Sequence, residues 1–129
     1  MSLDQEIQAY REAFKEKRLP KPSRCEVCGG AGPLHWHAVY ERSLICFHET
    51  VSLPIRRVLC SVCHKTFASL PDFVVKFHHY AKAVIYFAVR RLNRLSFNAV
   101  ADILMDLCGR AVATFTLYLW RRRFERSPT

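Results

Sequence analysis

The sequence predicts an α+β chain in three parts: an N-terminal amphipathic helix (1–19), a small cysteine-bound ribbon (20–72) and a three-helix unit (73–129). Three observations predict it. Two C-x₂-C pairs, Cys25-Glu-Val-Cys28 and Cys60-Ser-Val-Cys63, bracket a middle stretch rich in turn formers and aromatics. From His78 onward the apolar residues recur with a helical period. Before Cys25, Leu3, Ile7, Tyr10 and Phe14 recur at steps of four, three and four among charged residues.

The N-terminal segment is a narrow apolar seam on a charged helix over 3–18. The seam of Leu3, Ile7, Tyr10 and Phe14 either docks on the rest of the chain or pairs with a homodimer mate or other protein partner as a short coiled coil. Docking is favoured, because two heptads alone form a marginal coil. Leu19-Pro20-Lys21-Pro22 ends the helix and makes a stiff, extended linker.

Each C-x₂-C pair can curl into a tight knuckle that aims both sulfurs at one point. Cys25, Cys28, Cys60 and Cys63 together supply four thiolates, which suits one tetrahedral Zn²⁺ ion. A closed four-thiolate site leaves no position for water or substrate, so the zinc is expected to be structural. Gly29-Gly30 after the first pair gives the backbone room to turn. Lys65 after the second is expected near the doubly negative centre. A redox dithiol or disulfide staples are the competing uses of the cysteines, but two pairs flanking a hairpin region favour metal. His35, His37 and His48 are read as surface or hydrogen-bonded side chains rather than ligands, and Cys46 and Cys108 as buried apolar residues. Strand candidates are 35–40, 43–48 and 55–60, with Pro54 between the last two, and a short strand from Thr66-Phe67.

In the C-terminal part, Ala81, Val84, Ile85, Ala88, Leu92 and Leu95 form one stripe, giving a helix from about Tyr80 to Leu92. Ser96 is an N-cap for a second helix, buried through Phe97, Val100, Ala101, Leu104 and Cys108 and stopped at Gly109. A third helix runs from about Thr114 to Phe124, with Leu117, Trp120 and Phe124 on one side and Arg121-Arg122-Arg123 at its end. This succession is the pattern of a helix-turn-helix.

Charge sharpens the functional expectation. The chain of 129 residues carries a net charge of +9. Residues 1–75 carry ten basic and eight acidic side chains, residues 76–129 ten basic and three acidic. A cationic excess confined to one part is the footprint of a nucleic-acid-binding surface. Thr114, Tyr118 and Arg122 are the candidates for bases or nearby phosphates; Arg121, Arg123 and Arg126 for phosphates; Arg90, Arg91 and Arg94 for a backbone clamp; and Arg56 and Arg57 for a second contact from the ribbon. Paired carboxylates at catalytic spacing and a glycine-rich phosphate loop are both lacking in the sequence, so no enzymatic activity is expected. The polar, acidic N-terminus carries no signal peptide and no apolar run approaches the ~20 residues of a membrane span, so a cytoplasmic, nucleoid-associated protein is expected.

Several blocks between 23 and 125 resemble, in order, the N-terminal region of bacterial transposases of the insertion-sequence type. They are Cys25-x-x-Cys28-Gly29; Arg56-Arg57-Val58-Leu59-Cys60-x-x-Cys63-His64-Lys65-Thr66-Phe67; Leu70-Pro71-Asp72-Phe73; Leu95-Ser96-Phe97-Asn98-Ala99-Val100-Ala101; and Gly109-Arg-Ala-Val112 followed by Thr116-Leu117-x-x-Trp120. The resemblance implies a zinc ribbon plus helix-turn-helix that binds the duplex ends of a mobile element. In that family a DDE-type nuclease domain follows; the chain stops at Thr129, so that activity is not expected to carry over. The chain departs from the pattern at Ala113, where a serine N-cap is usual, and at Phe115 and Leu119, where polar residues are usual. Outward-facing apolar residues there favour the alternative, a zinc-ribbon protein adaptor or regulatory subunit of a larger nucleic-acid complex.

Overall fold

A computed structural model describes residues 2–124, so the Arg126 candidate lies outside the described residues. Its elements are α1 (Leu3–Lys15), β1 (Leu34–Ile45), β2 (Thr50–Cys60), β3 (Thr66–Ser69), α2 (Lys82–Arg91), α3 (Phe97–Cys108) and α4 (Thr114–Phe124). The strands form one antiparallel sheet in the order β1-β2-β3. The chain divides into two compact units. One comprises 1–43 and 52–72; the other comprises 44–51 and 73–129. The N-terminal helix and the ribbon thus share a unit, and the far end of the β1–β2 hairpin belongs with the helices.

In the first unit, α1 opens on a capping box. The Ser2 hydroxyl accepts from the Gln5 backbone N–H and the Gln5 side chain accepts from that of Ser2, at 3.3 and 2.9 Å. Its seam packs within the chain: Ile7 is 4% and Tyr10 8% exposed. Tyr10 Oη donates to the Pro54 carbonyl at 2.6 Å and Arg11 Nη2 to the Ser52 carbonyl at 3.0 Å. These bonds explain a departure from the sequence reading, in which Pro54 separated two strands. Pro54 lies inside β2, yet β3 pairs only with Arg56–Leu59. Beyond Arg56, β2 therefore has an open edge, where a residue without an N–H is tolerated. Helix α1 covers that edge and satisfies its carbonyls.

The two separate strands expected over 35–40 and 43–48 are a single strand, β1, running to Ile45. The hairpin then turns through Cys46–Glu49, closed by Cys46 N–H to Glu49 O at 2.9 Å and with His48 at φ 68°.

In the second unit, α2, α3 and α4 pack on one another. Val84, Ile85, Ala88, Val100, Leu104 and Leu117 are fully buried between them. Helix α2 begins two residues later than the periodicity predicts, because Tyr80 and Ala81 are held in extended bridges to Ile45 and Val74. Helix α3 is bounded as its caps predict. Ser96 Oγ accepts from the Ala99 N–H at 3.1 Å, and Gly109 takes the left-handed conformation at φ 69°. Rings fill the remaining gaps: Tyr80 meets Trp120 edge-on at 5.1 Å and Phe47 meets Phe87 at 5.5 Å. Cys46 and Cys108 are buried, and burial pushes the Cys108 thiol up.

Candidate metal centre and nucleic-acid interface

The two C-x₂-C pairs fold into matching knuckles. In the first, the Cys25 N–H donates to Gly30 O and the Gly29 N–H to Cys25 O, both at 2.9 Å. In the second, the Cys60 N–H donates to Lys65 O at 3.0 Å and the His64 N–H to Cys60 O at 2.9 Å. The residue after each second cysteine is left-handed: Gly29 at φ 73° and His64 at φ 60°. His64 thus occupies the turn position that the first knuckle gives to glycine, a role that shows only when the two knuckles are set side by side.

The four sulfurs lie within 4.8 Å of one another. Cys25 and Cys63 are 3.7 Å apart and Cys28 and Cys60 3.9 Å. Four thiolates around one zinc at ~2.3 Å would stand about 3.8 Å apart by tetrahedral geometry. The Cys25–Cys63 and Cys28–Cys60 spacings match that value, and all four sulfurs are close enough to hold one metal ion. Backbone N–H groups of Val27 and Cys28 point at Cys25 Sγ from 3.3 and 3.4 Å. Such donors stabilise a thiolate, and led by that of Cys28 they bring Cys25 down to about 7. The Lys65 N–H acts likewise on Cys63, but burial and the three neighbouring thiols outweigh it and push Cys63 up to about 11. A thiolate set that resists full ionisation by itself is what a bound cation relieves.

Beside the sulfurs sits a small apolar cluster. Leu34, Val58 and Phe67 are buried against Cys25 and Cys60, with Trp36 and Cys63 packed on it. Pro33 anchors the second knuckle, its carbonyl accepting from the Ser61 N–H at 3.1 Å and the Ser61 hydroxyl at 2.9 Å. Among the described residues no histidine joins the cluster of metal-capable groups.

The arginine candidates separate into committed and open ones. The Arg56 guanidinium lies 4.6 Å from the Phe14 ring centre and 5.4 Å from that of Trp36. Arg57 donates to Thr66 Oγ1 at 3.0 Å. Both are half-buried, so cation–π contact and hydrogen bonding already occupy the pair read as a second DNA contact. Arg121 is also half-buried, its guanidinium 4.8 Å over the Phe97 ring rather than directed outward. Arg90, Arg91, Arg94, Arg122 and Arg123 are exposed, as are Thr114 and Tyr118, although Arg91 also lies 4.9 Å from the Phe87 ring centre and Arg123 5.6 Å from that of Phe124. Arg90, Arg91 and Arg94 line a groove of about 540 Å³ with Phe87, Asn93 and Leu95. Arg122 and Arg123 line another of about 450 Å³ with His78 and Leu119. Among the described residues no helix is long and apolar enough to cross a membrane.

A family model described as a domain of unknown function, DUF6431, matches residues 25–105. No curated protein and no solved structure matches the chain. The match begins at the first cysteine of the centre, includes the other three and ends within α3, covering more than half of the sequence. The chain therefore belongs to the DUF6431 family, and the four-cysteine centre lies inside the segment that defines it.

Proposed function

We propose that this protein binds DNA through the cationic surface of its helical unit, and that its four cysteines hold one structural zinc ion. The observation that carries the reading is the uncompensated charge of that unit. Residues 76–124 contain nine basic side chains against Asp102 and Asp106. Six of the arginines are exposed, and five of them, Arg90, Arg91, Arg94, Arg122 and Arg123, line two grooves. Arginines in such number neutralise phosphates and release counterions, giving affinity that falls steeply with salt. The order α3, a turn through Gly109, then α4 supports docking of the helix-turn-helix kind, as the transposase resemblance implies.

Bound zinc would supply a cross-link between the knuckles and no chemistry. The thiolates of Cys25, Cys28, Cys60 and Cys63 would be its ligands. The knuckle backbone aims them, and Leu34, Val58 and Phe67 shield them from one side. On this reading the protein catalyses no reaction. A second reading, a protein adaptor, is favoured by exposed apolar side chains: Phe115 at 67% and Leu119 at 47% on α4, and the valine inside each knuckle, Val27 at 51% and Val62 at 60%.

The test is binding of zinc-loaded protein to a random duplex DNA library across a salt series, followed by selection for enriched sequences. The DNA reading expects binding whose salt slope drops by about 0.9 for each arginine–phosphate pair that Arg122→Ala and Arg123→Ala remove. Binding indifferent to both substitutions would remove α4 from the interface. Absence of binding to duplex and single-stranded DNA alike would leave the adaptor reading.

A further inference from the structure

Helix α4 has two unlike faces. Leu117 and Trp120 are buried, and Phe124 sets its ring against Tyr86 and His78 at 5.6 and 5.8 Å. On the other side Phe115, Tyr118, Leu119 and Arg122 follow at steps of three, one and three, which places them on one stripe. This stripe is aromatic and apolar, yet open: Phe115 is 67% exposed and Leu119 47%. The Phe115 and Tyr118 rings lie stacked, 24° from parallel with centres 6.2 Å apart. Leu119 and Arg122 continue into the groove that His78 and Arg123 complete. Immediately before His78, Phe77 is 81% exposed on a left-handed backbone at φ 66°. That conformation costs a side-chain-bearing residue roughly 1–2 kcal/mol. A large ring held in water on a strained backbone is a feature that clusters at binding sites.

Duplex DNA is read at base edges by hydrogen-bonding groups. Between Phe115 and Leu119, the stripe offers only the Tyr118 hydroxyl for that purpose. Flat rings beside guanidinium groups match instead the faces of unpaired bases and their flanking phosphates. Helix α4 carries no acidic residue to oppose a polyanion. We propose that the outer stripe of α4 and its adjoining groove bind single-stranded DNA in preference to duplex, with bases stacked on Phe115 and Tyr118 and phosphates on Arg122 and Arg123. The proposal rests on the DNA-binding reading above and specifies the form of DNA.

The experiment is fluorescence anisotropy of the full zinc-loaded chain with a labelled oligothymidine DNA strand and with the same strand paired to oligodeoxyadenosine, at several salt concentrations. The single strand is expected to bind at least ~10-fold tighter, since unpaired bases can stack on Phe115 and Tyr118 and paired ones cannot. Phe115→Ala is expected to weaken single-strand binding by roughly 5- to 150-fold, the range for removal of one base–aromatic stack, and to leave the salt slope intact. Phe115→Tyr, which keeps a ring, is expected to bind like the parent. Because Phe115 is exposed, circular dichroism of Phe115→Ala should match the parent, which separates loss of stacking from loss of fold. Duplex bound as tightly as the single strand, or Phe115→Ala without effect, overturns the proposal while leaving DNA binding intact. Binding of neither form overturns both.

Discussion

Removing the metal should unfold the ribbon and spare the helices. The apolar cluster beside the sulfurs contains three sizeable buried side chains, Leu34, Val58 and Phe67. At ~1.5–3 kcal/mol each, they contribute about 5–9 kcal/mol. The two knuckles, 25–30 and 60–65, must order twelve residues, at a backbone cost of roughly 12–24 kcal/mol. The shortfall of about 10 kcal/mol is the size of the affinity that structural zinc sites supply, ~10–16 kcal/mol near neutral pH. Zinc released by a thiol-modifying reagent should reach one equivalent per chain. Amide hydrogen exchange with and without a chelator then gives the decisive comparison. The knuckle N–H groups of Cys25, Gly29, Cys60 and His64 should lose protection on chelation. Amides of α2 and α3, held by the buried Ile85, Val100 and Leu104, should keep theirs. Cys60→Ser should reproduce the chelated state without chelator. Knuckle amides that stay protected in chelator would refute the reasoning, since the small cluster would then suffice alone.

Three further outcomes follow from the same geometry. Tyr10→Phe should destabilise the first unit by about 0.5–1.5 kcal/mol in thermal or urea unfolding, through loss of the 2.6 Å bond to Pro54 O. Burial pushes Tyr10 from 10.0 up to about 12, against a smaller opposing pull from Arg56. The neutral phenol is therefore the folded form: its contribution is complete below pH 10, is lost as pH rises toward 12, and should vanish from the pH profile of Tyr10→Phe. His64→Gly should bind zinc unchanged and gain up to ~1 kcal/mol, because φ 60° favours glycine as it does at Gly29; loss of zinc would instead make His64 a ligand. Leu104→Ala, at a fully buried site in the helical unit, should cost about 2–5 kcal/mol in thermal unfolding, and a cost below about 1 kcal/mol would contradict the packing.

The elements that the sequence predicts well are those with signals a few residues long. Ser96 and Gly109 bound α3 because a cap is a bond between residues three or four apart. The four cysteines announce their cluster because each knuckle is a local turn. Strand limits carry no such marker. The gap expected between two strands near residue 41 is filled by β1, and Pro54 reads as a break until α1 is seen to cover the edge it faces. The arginines are legible as charge but not as free charge. Arg56 meets Phe14 and Trp36, residues 42 and 20 positions away, and nothing near it in sequence announces either ring.

By itself, then, the sequence determined what local chemistry controls: the α+β character, the metal-capable cysteines, the caps and extent of α3, the extent of α4, and the cationic bias of the C-terminal part. Only the tertiary structure decided which of those groups remain available. It grouped residues 44–51 with the helices and put the α1 seam against its own unit. It also committed Arg56, Arg57 and Arg121 to partners inside the chain and left Phe115 and Leu119 exposed on α4. The reason is range. Turn geometry and ligand spacing act over about five residues, whereas edge coverage, cation–π pairing and exposure depend on which distant segments the fold brings together.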